Sequence, residues 1–220
     1  MTERQHRGRA AASRTAVNSR GAELKQERAL RTRQQILEAA AQAFAERGYP
    51  AVTILEVAEL AGLTKGAVYF HFANKEALAT AVSEGFYAHW PRLAQEVAES
   101  GLPPLARLRE LLLRTAADFQ QDMVVQAGAR LQIERALVGP DLLPAPFTTY
   151  RTLLGELLTQ AQEQGELRPD ADPAALCDVL ESAMFGAQHI SWVQTGRADL
   201  VERTRHIIAA VVDPARAVEG

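Results

Sequence analysis

Thr53, Thr64, Lys65, Gly66, Tyr69, His71 and Lys75 fall within one short stretch of the chain. Hydroxyls, an imidazole and two ammonium groups are the side chains that hydrogen-bond phosphate oxygens. A lysine at the open end of a helix also reaches guanine O6 and N7 in a major groove. The adjacent Gly66 has no side chain, so backbone and base can approach closely. Each residue also has a plainer reading. Thr53 and Thr64 are helix caps whatever else they do, Gly66 fits a flexible helix start, and a lone histidine is more often structural than functional.

The elements that position these groups follow from the surrounding pattern. Thr53 caps a helix carrying Ile54, Val57, Ala58 and Ala61 on one face, and Gly62 ends it. Thr64 caps the next helix, with Lys65 and Gly66 in its first turn. Asn74 caps a third, which begins at Lys75. Two short helices joined by a tight turn form a DNA-binding helix-turn-helix, and the N-termini of these helices present free N–H groups to phosphate. The spacing predicts a preceding helix over 27–47 with a stripe of Ile36, Ala39, Ala40, Ala43 and Phe44. Val68 and Phe72 are expected to pack the recognition helix onto it. Phe70 fits either the rim of that core or the groove.

Composition agrees with a chain of two unlike parts. Of 220 residues, 47% are apolar, and the net charge is −3. Residues 1–75 hold 12 Lys+Arg against 7 Asp+Glu, whereas 76–220 hold 12 against 20. A basic first third on an acidic remainder suits a protein that meets a polyanion at one end. The single Cys177 excludes an internal disulfide and any multi-cysteine zinc site, and reads as core packing. The histidines show no repeated metal-ligand spacing, so neither metal nor other cofactor is expected. No phosphate loop, GxGxxG, GxSxG or HExxH is present. With no membrane-length apolar run, a cytoplasmic location away from membranes is the default.

The expected fold is all-α: a disordered Arg-rich arm (1–26), a three-helix DNA-binding head (27–75), a six-helix body (76–214) and a short tail (215–220). The body helices are expected from Lys75 onward with a kink or break at Pro91, then over 105–119, 123–137, 147–164, 173–195 and 199–212. A loop with three prolines spans Gly139 to Pro146. The last two helices, with Ala183, Met184, Gly186, Ala187, Ile190, Ile207, Ile208 and Val211, are the expected dimer surface. One head covers few bases, so a two-fold homodimer on palindromic double-stranded DNA is expected, with heads ~34–36 Å apart or a multiple of that.

Gly66 to Leu78, GAVYFHFANKEAL, resembles the signature of the TetR family of transcriptional repressors. The resemblance implies a helical body that binds a small signalling molecule and thereby releases the heads from their operator. Three further segments, KQERA at 25–29, TKGA at 64–67 and TGRADL at 195–200, are similar to the γ-butyrolactone receptors, regulators of antibiotic biosynthesis genes. That subgroup carries a pocket tryptophan in a Pro-Phe-x-x-Trp setting, where this chain has Pro146-Phe147-Thr148-Thr149-Tyr150. The tyrosine hydroxyl suits a carboxylate-bearing signal, such as a furan carboxylic acid. On this resemblance Tyr87, Gln132 and Tyr150 are expected as polar donors to the ligand. Trp90, Met123, Phe147, Met184 and Trp192 are expected as walls, although aromatic and Met stripes at this spacing are commonly plain core. A constitutive DNA-binding protein without ligand is the alternative, and a small helical enzyme a further one.

Overall fold

In the computed structural model, residues 3–139, 141–143 and 148–217 are described, with side chains from Leu24 onward. Ten α-helices run in order: α1 (Glu3–Arg47), α2 (Ile54–Leu60), α3 (Lys65–His71), α4 (Lys75–Ala98), α5 (Pro104–Gln121), α6 (Met123–Ile133), α7 (Arg135–Val138), α8 (Thr148–Glu163), α9 (Pro173–Thr195) and α10 (Leu200–Ile207). A π-turn over Ile208–Val212 and a 3-10 turn over Asp213–Ala215 follow. Among the described residues there is no strand, only one isolated bridge between Leu167 and Arg216. The all-α expectation holds.

Three local expectations are corrected. Backbone helix begins at Glu3, so the stretch expected as a disordered arm continues α1 upstream; Ala and Arg, which dominate it, are strong helix formers. α4 passes through Pro91 without a break. Proline removes one N–H and so costs one intrahelical bond, and Trp90 and Leu93 on either side hold the helix by burial. The helix expected over 123–137 is divided at Glu134 into α6 and the single turn α7, so among the described residues the body has seven helices rather than six.

The packing has two main centres joined by two helices. Ile36, Ala40, Ala43 and Phe44 of α1 pack with Val57 and Ala58 of α2 and Val68 of α3. The first turns of α4 (Leu78, Ala79, Val82) and part of α6 (Ala127, Leu131) belong to that same cluster. Further along, Phe86, Trp90, Leu93 and Val97 of α4 and Val125 of α6 enter the body cluster with Leu108, Leu111, Leu154, Leu158 and Leu180. α4 and α6 therefore each carry residues of both centres. They cross closely because Gly128 has no Cβ, which would lie 2.2 Å from the Cβ of Phe86. Interiors this dense transmit a displacement rather than absorb it.

Candidate functional site

The head is built by capping. Thr53 and Glu56 form a reciprocal capping box at α2: Thr53 Oγ1 accepts from the Glu56 N–H at 3.3 Å, and Glu56 Oε2 accepts from the Thr53 N–H at 2.7 Å. Those bonds from Thr53, together with Arg47 at 2.8 Å, hold the Glu56 carboxyl below its usual range. Thr64 Oγ1 accepts from the Ala67 N–H at 3.2 Å and starts α3. Asn74 does the same for α4 through the Ala77 N–H at 2.8 Å. Both threonines are exposed, so capping leaves their outer faces open.

α3 buries Val68 and turns its other side outward. Lys65, Gly66, Tyr69 and Phe70 are exposed, Phe70 at 81%. The Lys65 ammonium lies 5.7 Å from the Tyr69 ring, and the His71 ring meets Phe70 edge-on at 5.1 Å. Phe70 thus stands at the surface rather than on the rim of the core. A Cβ on Gly66 would meet nothing closer than Thr64 Oγ1 at 3.9 Å. Among the described residues no contact requires glycine there.

Lys75 departs from expectation. Its ammonium donates to the carbonyls of Tyr49 and Val52 at 2.9 and 3.0 Å and lies over the Tyr49 ring at 4.1 Å. The side chain expected on a phosphate ties down the α1–α2 turn instead. Two carbonyls aimed at one point hold a cation strongly, which accounts for the difference.

The body contains a cavity of about 70 Å³ between α4, α5, α6, α8 and α9. Its aromatic side is Phe86, Trp90 and Phe119, with Trp90 5.4 Å from the Tyr150 ring and 6.1 Å from Phe119. Tyr87 Oη, Gln132 Nε2 and Gln188 Nε2 line it without a hydrogen-bond partner among the described residues, and Tyr150 Oη and Thr115 Oγ1 line it with no partner but each other. Unpaired buried donors are rare in folded proteins, and three around one cavity form a ready-made polar ligand surface. Burial pushes the Tyr87 hydroxyl up to about 12, against a smaller opposing pull from Arg135. Burial also raises Tyr150 well above its ordinary value, with Thr115 opposing. Both phenols are therefore neutral donors at physiological pH.

Gln132 is oriented from behind, because Arg135 Nη1 donates to its Oε1 at 3.0 Å and leaves Nε2 for the cavity. Among the described lining residues there is no Lys, Arg or His, and the one charged side chain is Glu181. Glu181 is held by Arg151 at 2.8 Å, and Arg151 also holds Asp178 at 2.5 Å.

Of the expected pocket residues, Tyr87, Trp90, Gln132, Tyr150 and Met184 line this cavity. Phe147 lies outside the described residues. Two expectations are corrected. Met123 is 43% exposed at the start of α6 and borders a surface groove against α1. Trp192 turns toward the guanidinium groups of Arg130 and Arg197, at 5.2 and 5.1 Å, because π-faces attract cations. Phe86, Thr115, Phe119 and Gln188 line the cavity and were missed. Thr115 interrupts the apolar stripe of Leu108, Leu111, Leu112 and Ala116, a signal legible in the sequence.

On the expected dimer surface the residues divide. Met184, Ala187 and Ile208 are buried within the chain, whereas Ile190 remains exposed. Val179, Gly186, Ile190 and Val193 follow one another at helical spacing along α9, with Val193 70% exposed.

Residues 36–82 match the model for bacterial regulatory proteins of the tetR family. The A-factor receptor protein of Streptomyces griseus is 34% identical over 194 residues, 86% of this chain and 67% of that one. A solved structure described as the molecular basis for control of antibiotic production by bacterial hormones is 46% identical, covering 85% of this chain and 98% of that one at a TM-score of 0.79. The crystal structure of a gamma-butyrolactone receptor (ArpA-like protein) is 33% identical, covering 83% and 98%, at a TM-score of 0.66. The helix-turn-helix head, the helical body and these likenesses together assign the chain to the TetR family of bacterial regulatory proteins, close to the γ-butyrolactone receptors.

Proposed function

We propose that the protein is a ligand-responsive transcriptional repressor that binds a palindromic operator as a homodimer and leaves it when the body cavity takes up a small signalling molecule, controlling antibiotic biosynthesis genes. The DNA-binding domain is 27–75 and the ligand-binding and dimerisation domain 76–214. Thr53, Thr64, Tyr69 and His71 position the head on phosphates, Lys65 reads a base edge, and Gly66 admits the DNA backbone or base closely. The exposed stripe of α9 supports pairing with a second copy, which sets the spacing of the two heads.

The signal is of the furan carboxylic acid or γ-butyrolactone type, and the chain resembles the methylenomycin furan receptor, which answers to alkylated hydroxymethyl-furan carboxylic acids. The observation that carries this reading is the charge behind the donors. Arg135 stands one hydrogen bond behind Gln132 and also acts on the Tyr87 hydroxyl. The end of the cavity defined by Tyr87 and Gln132 is therefore electropositive without presenting a cation. That end suits the carboxylate of such a ligand, with Tyr150 as a third donor and Trp90 and Met184 as walls.

The test is a mobility-shift titration of operator DNA with an alkylated hydroxymethyl-furan carboxylic acid and, separately, with a γ-butyrolactone. Tyr150→Phe is expected to need about tenfold more ligand for half release, the loss of one hydrogen bond of about 1.4 kcal/mol. Release of Tyr150→Phe at the wild-type concentration removes Tyr150 from the site, and a wild-type complex indifferent to both ligand classes removes the class itself.

A further inference from the structure

We infer that Gln188 reads a second, uncharged polar group on the ligand, a hydroxyl separate from the carboxylate or lactone. This rests on the ligand reading just given and adds a recognition element on another helix. Gln188 is 4% exposed, it lines the cavity, and its Nε2 has no partner among the described residues. A buried amide left unpaired costs stability, so its presence needs a partner from elsewhere.

Its surroundings set it apart from the other donors. Tyr87 and Tyr150 pack against the large body cluster that contains Phe86 and Trp90. Gln188 follows Ala187, which belongs with Ala116 and Leu200 to a separate small cluster that Phe119 adjoins. Leu200 and Phe119 line the cavity there. A ligand with one polar group satisfies the Tyr87 end and leaves the amide of Gln188 unpaired.

Charge decides the kind of group. Gln132 is backed by Arg135, whereas among the described residues no cation is bonded to Gln188 and none lines the cavity. With no cation bonded behind it, the Gln188 amide suits an uncharged acceptor, whereas a carboxylate is drawn to the Arg135 end. A hydroxyl accepts from Nε2 and still has a proton to donate. A site built to bond a hydroxyl discriminates strongly against the analogue lacking it, because its own polar groups are then left bare.

Two matched probes test this: an alkylated hydroxymethyl-furan carboxylic acid and its methyl analogue without the hydroxyl. Wild type, Gln188→Met and Tyr150→Phe are titrated for release of operator DNA, and each is melted without ligand. Wild type is expected to prefer the hydroxymethyl probe at least tenfold. Gln188→Met is expected to lose that preference by responding less to the hydroxymethyl probe alone, whereas Tyr150→Phe weakens both probes together. Because no described group of the chain bonds the amide, Gln188→Met is also expected to melt no lower than wild type. A Gln188→Met protein that keeps the tenfold preference overturns the assignment and leaves the ligand reading standing, provided Tyr150→Phe is impaired. A lower melting temperature for Gln188→Met overturns it as well, since Gln188 is then a structural residue. If wild type and both variants ignore both probes, the ligand reading fails and takes this assignment with it.

Discussion

Glu134 Oε2 accepts a hydrogen bond from the backbone N–H of Tyr49 at 2.6 Å. The same carboxylate pairs with Arg130 at 3.1 Å, and Arg130 donates to the carbonyl of Ala45 at 3.0 Å. Both bonds run from the end of α6 to the end of α1. Gly48 between them has φ +81°, and a Cβ there would lie 2.4 Å from Glu134 Oε1. Tyr49 is further fixed by α4, since its hydroxyl donates to Glu76 at 2.8 Å and its carbonyl accepts from Lys75. One turn of the head is thus held by two of the helices that border the cavity, α4 and α6, and α6 contributes Ala129 and Gln132 to the cavity on its other side.

That arrangement predicts the route from ligand to head. Glu134→Ala removes the acceptor for Tyr49 and the partner of Arg130. The ligand-dependent change in operator affinity is expected to shrink about tenfold, a loss of about 1.4 kcal/mol of coupling. Operator affinity measured by fluorescence anisotropy with and without saturating ligand gives that ratio directly. A ratio equal to wild type places the coupling in α4 alone.

Lys75 and Lys65 predict opposite phenotypes. Lys75→Met removes two charge-assisted bonds inside the head and is expected to cost about 2–3 kcal/mol in urea unfolding. Lys65 is exposed and makes one ring contact, so Lys65→Ala is expected to leave stability nearly unchanged. Its effect appears on DNA instead, as weaker binding whose salt dependence is shallower by about one counterion. Unfolding curves and operator affinities over a salt series separate the two lysines. A Lys75→Met protein of wild-type stability contradicts the role given to its ammonium.

Gly66→Ala is predicted to trade stability against binding. Glycine inside a helix is worse than alanine by about 0.5–1 kcal/mol, and the added Cβ has space in the free head. The variant is therefore expected to unfold later and to bind operator at least tenfold more weakly. Unimpaired binding removes the close approach assigned to this position.

How far the sequence carried depends on whether the signal was local. Thr53, Thr64 and Asn74 are caps followed at once by their helices, and all three make the cap bond expected of them. Lys75 was misread because its partners are carbonyls of the Tyr49–Val52 turn, far enough back in sequence that no spacing rule connects them. In the body, Tyr87 and Trp90 share one face of α4 and were legible as a pair. Trp192 was misread because its surroundings are set by Arg130 on α6 and by Arg197 beyond the turn at Gly196. Gln188 lies one helical turn after Met184 and shares its face, yet a glutamine in a helix gives no hint of burial until the neighbouring helices are in place.

Asp199 supplies a prediction about acid. It joins the end of α9 to the start of α10, accepting from Arg203 Nε at 2.8 Å, Ser191 Oγ at 2.5 Å and Thr195 Oγ1 at 2.8 Å. Arg203 first, then Ser191 and Thr195, hold its carboxyl far below the ordinary 3.8. The folded chain therefore keeps this group ionised at pH values where the unfolded chain protonates it. Its stabilisation is complete above the unfolded value and is lost as pH falls from there through the folded one. Asp199→Asn keeps the shape but removes the charge. Melting temperature followed from pH 7 down to 3 is expected to fall more steeply in wild type than in Asp199→Asn, with the difference confined to the acid end below about pH 4. Parallel curves show that the three bonds give Asp199 no stabilising charge, and the α9–α10 junction is then held by the burial of Leu200 and Thr204 alone.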